Sequence, residues 1–219
     1  LMVMKNSLLV SLLTAFIGTL MAYGCALITA RSTMSAAVKG IIEGVILVTN
    51  TIPGMVLGLS YLFIFSGSSL QGTMALLILC NIVHYFSTPY IMMKSSLSKL
   101  NASWETTAKL MGDSWLGTIV RVVTPNTYAT LLEVFGYYFI NAMVTISAVI
   151  FIAGARTAVI TTKIKELQYY NKYSEIFVLS LLILAVNLRS KGVLAVLARR
   201  RPAKAAAVIR TESVPSGTR

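Results

Sequence analysis

Long runs of apolar residues without charge constrain the fold of this chain more than any other feature. The first run, Ser7–Ala30, has 24 residues, and none of them is charged. At 1.5 Å per residue, a helix of this length exceeds the hydrocarbon thickness of a bilayer, about 30 Å. The 219 residues are 56% hydrophobic and only 12% charged, roughly half the charged fraction of a typical soluble domain. The sequence therefore predicts an all-α integral membrane protein.

Four further apolar segments bring the predicted count to about five transmembrane helices. They are Ile41–Phe65, Met74–Met93, Thr127–Ala153 and Ile176–Leu188. The last is the weakest, because only 13 clearly apolar residues precede Arg189. It must borrow residues 173–175 or continue past the basic side chains to Leu197, which snorkelling of those side chains permits.

The net charge of +12 arises from 19 Lys and Arg against 7 Asp and Glu. Such a charge is also typical of nucleic-acid binding, but the basic residues flank the apolar runs, as the positive-inside rule requires. We therefore expect a lipid bilayer and no nucleic acid as partner. The short basic linker 31–40 is predicted to be cytoplasmic, with the N-terminus outside and the C-terminus inside. Basic residues also occur in the predicted outer segment 154–174.

We divide the chain into a transmembrane domain, residues 1–197, and a basic tail, residues 198–219, that is expected to be disordered. The chain begins at Leu1 rather than Met, which fits a start inside a longer protein. We expect no cleavable signal peptide, because the first apolar run is too long and its charged flank follows it.

A polar and charged segment, residues 95–126, interrupts the apolar sequence. Gly112 lies at its centre, helix-forming residues lie on both sides, and Pro125 closes it. This pattern predicts two short helices that meet at a bend, with Gly112 free to adopt positive φ. We call residues 95–126 the polar loop, and topology places it in the cytoplasm.

The polar loop resembles the signature loop of ABC importer permease subunits, in which Glu-Ala-Ala precedes a Gly and a Leu-Pro follows at a fixed interval. Here Thr106, Thr107 and Ala108 precede Gly112, and Pro125 lies thirteen residues beyond it. Thr106 stands in place of the family's Glu, with a Glu one place earlier, and Thr124 replaces the Leu. The resemblance implies that ATP-binding subunits dock on Glu105, Thr106, Thr107, Ala108, Gly112, Asp113 and Pro125. The alternative is an ordinary amphipathic helix on the membrane surface.

The same resemblance implies a MetI-like permease of the bacterial inner membrane. Its implied partners are a second permease subunit or homologous half and an extracytoplasmic substrate-binding protein. Residues 137–152 and 49–65 look like the permeases of 2-aminoethylphosphonate and ferric-iron importers. The expected cargo is therefore 2-aminoethylphosphonate, with ferric iron or another small solute as the alternative.

Several polar or helix-breaking residues are predicted to lie at membrane depth, where they are candidates for lining a translocation path. They are Asn50, Thr51, Pro53, Glu133, Asn141 and Thr145. Packing offers the other explanation: a kink at Pro53 with a small-residue contact through Gly54 and Gly58, and interhelical hydrogen bonds by the amides and hydroxyls. Glu133 could likewise pair with a basic residue.

The sequence contains no G-x-x-x-x-G-K-[ST] phosphate-binding loop and no Ser-His-Asp or Cys-His cluster. The single histidine, His84, has no second ligand candidate nearby. We therefore expect no catalytic residue, no metal and no cofactor, and the energy for transport must come from another subunit. The alternatives from other classes are an ion-coupled secondary carrier and a membrane-anchoring subunit without transport.

Overall fold

A computed structural model describes residues 2–101 and 103–212, without the side chains of Lys109 and of residues 199–212. Within these residues every regular element is helical, as predicted. The helices are α1 (Met2–Arg31), α2 (Ala36–Val48), α3 (Gly54–Ile64), α4 (Met74–His84), α5 (Ser87–Ser98), α6 (Ser103–Leu110), α7 (Trp115–Thr118), α8 (Thr124–Asn126), α9 (Tyr128–Val144), α10 (Val149–Ile152), α11 (Ile160–Tyr169) and α12 (Tyr173–Glu212).

Two of the described helices, α1 and α12, are each long and apolar enough to cross a membrane. Two bent pairs, α2 with α3 and α4 with α5, raise this number to four if each pair is one span. Helix α9, with 17 residues, is shorter than these four and is the fifth candidate. The prediction of about five spans agrees with this arrangement.

Helix α1 lies at the centre of the bundle and packs mainly against α9, α5 and α4. Small residues follow one of its faces at spacings of three or four and are buried: Ser7, Ser11, Ala15, Gly18, Ala22 and Ala26. A Cβ added at Gly18 would lie 2.8 Å from the ring of Tyr138 on α9. Small side chains let two backbones approach closely, which is how helices pack where lipid removes the hydrophobic driving force.

The second predicted span is bent by 105° between α2 and α3. Pro53, which has no N–H and a φ of −59°, immediately precedes α3, and proline is favourable at the beginning of a helix but not within one. A Cβ on Gly58 would lie 2.9 Å from the Cα of Ala148. The structure therefore confirms a kink at Pro53 and a close small-residue contact through Gly58.

The third predicted span is also bent, by 56°, where α4 meets α5. Pro89 lies in the first turn of α5, where its missing N–H removes no helical hydrogen bond. Helix α5 then continues to Ser98, beyond the predicted end at Met93. The beginning of the polar loop is therefore the last turn of a membrane helix.

The fourth predicted span, residues 127–153, is interrupted at residues 145–148, between α9 and α10. This break was not predicted, because the interrupted stretch contains neither proline nor glycine. The hydroxyl of Thr161 donates to the carbonyl of Thr145 at 2.8 Å. A side chain from α11 thus satisfies a backbone group at the break, which is necessary where no water is available.

The fifth span is longer than its 13 clearly apolar residues suggested, since α12 runs for 40 residues from Tyr173 to Glu212. Its apolar section extends through Ala198 and includes Arg189 and Lys191. Long basic side chains favour helix and can place their charges at the interface. The boundary predicted at residue 198 falls inside this helix, residues 213–219 lie outside the described residues, and a separate disordered tail stays a prediction.

Candidate functional site

The polar loop forms two short helical segments that meet at Gly112. Helix α6 ends there, and the N–H groups of Met111 and Asp113 donate to the carbonyls of Thr107 and Ala108 at 3.0 and 2.9 Å. Gly112 has a φ of +80°. This is the glycine C-cap in which a left-handed residue closes the last helical turn. The bend and the positive φ at Gly112 were both predicted from the sequence.

The second half of the polar loop has its own local hydrogen bonds. The Asp113 carboxylate accepts from the N–H of Ser114 at 3.1 Å and lies 3.5 Å from the Arg121 guanidinium. Ser114 caps α7, since its hydroxyl accepts from the N–H of Gly117 at 3.1 Å. A π-helical turn, Ile119–Val123, links α7 to α8. Pro125 follows this turn, and a proline that cannot donate favours such local widening.

The bend exposes apolar side chains rather than burying them. Leu110 and Met111 are 83% and 82% exposed, and Trp115, Leu116 and Val120 are also exposed. Thr106 and Thr107 on α6 are exposed beside them, and Ala108 is half-buried. Adjacent exposed apolar residues rimmed by polar ones indicate an interaction surface. We call the five exposed apolar residues, Leu110, Met111, Trp115, Leu116 and Val120, the apolar tip.

Glu105, the acidic residue expected to contact a partner, faces the interior of the chain. Its carboxylate lies 3.3 Å from the guanidinium of Arg31 at the end of α1, and the Glu105 side chain is only 27% exposed. No sequence pattern indicates this pairing, because Arg31 reads only as a basic flank at the end of an apolar run. Glu105 is thus paired within the chain, although it also lines one cavity with Thr106 and Trp115.

The candidate pore residues fall at three places. Glu133 and Asn141 line one cavity of about 440 Å³ between α5, α9 and α12, which Lys191 also lines. Asn50 and Thr51 are exposed at the bend before Pro53.

Thr145 is the third place, and it is buried beneath the break after α9. Its hydroxyl donates to the carbonyl of Asn141 at 2.6 Å and contacts the hydroxyl of Tyr85. The amide of Asn141 in turn donates to the carbonyl of Tyr137 at 2.8 Å. Tyr85 was not predicted as a member of this site. These contacts give Thr145 the partners of a packing residue.

Comparison with known proteins identifies the family. The profile of the family described as "binding-protein-dependent transport system inner membrane component" matches residues 7–201. The putative ferric transport system permease protein FbpB 1 of Haemophilus influenzae is 31% identical over 150 residues, which are 67% of this chain and 23% of that protein. The chain thus spans about a quarter of the length of this curated relative.

Two solved structures share the fold at low sequence identity. A bacterial ABC transporter involved in the import of the acidic polysaccharide alginate has a TM-score of 0.78 at 16% identity, covering 91% of this chain and 78% of that one. An inward-facing MetNI methionine ABC transporter has a TM-score of 0.71 at 12% identity, covering 89% and 92%. Together with the family match, these confirm a multi-pass membrane fold of the predicted permease class. The chain belongs to the family of inner membrane components of binding-protein-dependent transport systems.

Proposed function

We propose that this chain is the membrane-spanning permease subunit, or one part of it, of a bacterial ABC importer. The observation that carries the proposal is the apolar tip, whose exposed apolar side chains lie at the bend, beside a helix with Thr106 and Thr107 exposed. A soluble protein surface with a matching groove would bury this tip. Family membership and the two ABC transporter folds support ATP-binding subunits as that partner.

The remaining partners follow from the family. Its description names dependence on a binding protein, so a substrate-binding protein would deliver the cargo from outside. A second permease subunit, or a homologous half on the same polypeptide, would complete the path. The proposed orientation places the N-terminus outside and the polar loop in the cytoplasm.

The path itself is proposed to include Glu133 and Asn141, which share a cavity with Lys191. Asn50, Thr51 and Pro53 at the bend between α2 and α3 are the second candidate position. Thr145 has a smaller part in this proposal, since its hydroxyl is engaged within the chain.

For the cargo, we propose 2-aminoethylphosphonate, with ferric iron as the second candidate. The first rests on the resemblance in residues 137–152 and 49–65, and the second is favoured by the ferric permease relative. Both enter through a binding protein, which sets much of the selectivity. Binding of labelled 2-aminoethylphosphonate and of ferric citrate to the partner binding protein distinguishes them: saturable binding of one and not the other identifies the cargo.

The permease proposal is tested by co-expressing the chain with a candidate ATP-binding subunit from the same organism and purifying through a tag on this chain. We expect a stable complex that hydrolyses ATP. A Met111→Asp variant should insert normally but retain less of the ATP-binding subunit. Recovery of the chain alone, from membranes that contain both proteins, would refute the proposal and favour an anchoring subunit or a secondary carrier.

A further inference from the structure

Arg31 is a buried cation that lies between the membrane helices and the polar loop. It is the last residue of α1, and its side chain is only 7% exposed. One terminal nitrogen, Nη2, donates to the carbonyls of Leu97 and Leu100 at 2.6 and 2.7 Å. The other, Nη1, lies 3.3 Å from the Glu105 carboxylate. One guanidinium thus contacts groups from two further parts of the chain.

The ends of the neighbouring helices favour the charges that Arg31 and Glu105 carry. Leu97 lies in the last turn of α5 and Leu100 lies just beyond its end, where the helix dipole favours a cation; the Leu97 carbonyl also accepts from the N–H of Leu100 at 3.2 Å. Glu105 lies in the first turn of α6, where a carboxylate is favourable. The planar guanidinium of an arginine presents donors in several fixed directions at once. Arg31 therefore joins the ends of α1, α5 and α6.

Helix α6 has few other contacts with the membrane helices. Among the described elements α6 packs mainly against α7, whereas α1 packs along α9, α5 and α4. The Arg31–Glu105 pair accordingly connects the exposed part of the polar loop to the central helix of the bundle. Burial distinguishes it from the Lys163–Glu166 pair, which lies within α11 and is exposed on both sides, since exposed pairs contribute little.

We propose that Arg31 is a positioning residue that fastens α6 to α1, so that a displacement of α6 by the ATP-binding subunits moves α1 with it. The proposal rests on the proposed permease function. Within it, Glu105 acts inside the chain and not at the interface with the ATP-binding subunit. The apolar tip makes the contact, and the Arg31–Glu105 pair transmits the movement.

The fastening is tested by hydrogen–deuterium exchange of residues 103–111 in a Glu105→Gln variant of the complex. This variant removes the charge but keeps the shape, and it leaves the two carbonyl contacts of Arg31 in place. Loss of a charge-assisted bond should speed exchange in α6 by about ten-fold. The control is Glu166→Gln, which removes an exposed pair and should leave α6 unchanged. Equal exchange in both variants would overturn the proposal.

The transmission is tested by the distance between spin labels on exposed positions of α6 and α1, Ser103 and Phe16, in a cysteine-free background. We expect ATP with vanadate to leave this distance unchanged in the otherwise wild-type complex and to change it in Glu105→Gln. If the distance responds to ATP with vanadate identically in the wild-type and Glu105→Gln complexes, the proposal is overturned, even if their hydrogen–deuterium exchange rates differ. If the wild-type chain itself binds no ATP-binding subunit, the proposed function is refuted, and this inference is refuted with it. That outcome is seen before any variant is compared.

Discussion

Replacing Gly112 by valine tests whether the bend of the polar loop matters for coupling. Gly112 has a φ of +80°, and a Cβ added there would meet nothing within 4 Å. The cost of the substitution is therefore a backbone cost and not a steric clash with neighbours. A side chain in this conformation costs roughly 1–2 kcal/mol, and a β-branched one is at the upper end.

This cost corresponds to a factor of about 5–30 in the population of the bent loop. If the ATP-binding subunit recognises only the bent form, its apparent affinity weakens by up to about the same factor. Titration of the ATP-binding subunit against the permease in nanodiscs, with ATP hydrolysis as the second readout, measures the change. Gly112→Asn should be nearly neutral, because asparagine tolerates positive φ.

Gly67 provides the matched control. It also has a positive φ, +74°, with nothing within 4 Å of an added Cβ, but it lies in the turn between α3 and α4, outside the polar loop. Gly67→Val should therefore carry a similar strain and leave the affinity unchanged. Equal affinities of Gly112→Val and Gly67→Val would refute the argument that the bend positions the docking surface.

Three other predictions concern packing, docking and the path. Gly58→Ala places a Cβ 2.9 Å from the Cα of Ala148, so it should destabilise the protein by about 1–3 kcal/mol, which thermal unfolding in detergent measures. The control is Gly44→Ala within α2, where nothing lies within 4 Å of the added Cβ, so this variant should not be destabilised. Met111→Asp places a charge on a side chain that is 82% exposed, and should weaken docking by roughly ten-fold with unchanged unfolding temperature. Glu133→Gln should lower uptake of the identified cargo several-fold while ATP-binding subunit affinity stays the same; unchanged uptake would remove Glu133 from the path.

The bend of the polar loop was predictable because its signal is local. Gly112 can adopt a conformation that other residues avoid. Because the residues on either side favour helix, the break between the two helices is expected at this glycine. The kink at Pro53 was predictable for the same reason, since proline removes a donor wherever it occurs. The size of the kink, 105°, was not predictable, because a proline does not by itself specify the angle between the two helices.

Features that depend on distant partners could not be predicted. Arg31 and Glu105 are adjacent only in the folded chain, and nothing in either segment specifies the other. The break after Val144 contains no residue that ends a helix, and it becomes understandable only when Thr161 is found to donate to its backbone. The length of α12 was underestimated because charges interrupt an apolar pattern without interrupting a helix.

The exposure of α12 has a practical consequence. Helix α12 packs against α9 and α11, but only 6% of its most apolar 18-residue window is buried within the chain, so the surrounding medium supplies many further contacts. In a bilayer those contacts are lipid tails, and in purified samples they are the alkyl chains of a detergent. Heat stability should therefore vary with alkyl-chain length, as mismatch between a micelle and a long apolar helix is costly. Unfolding temperatures of variants can be compared only within one detergent.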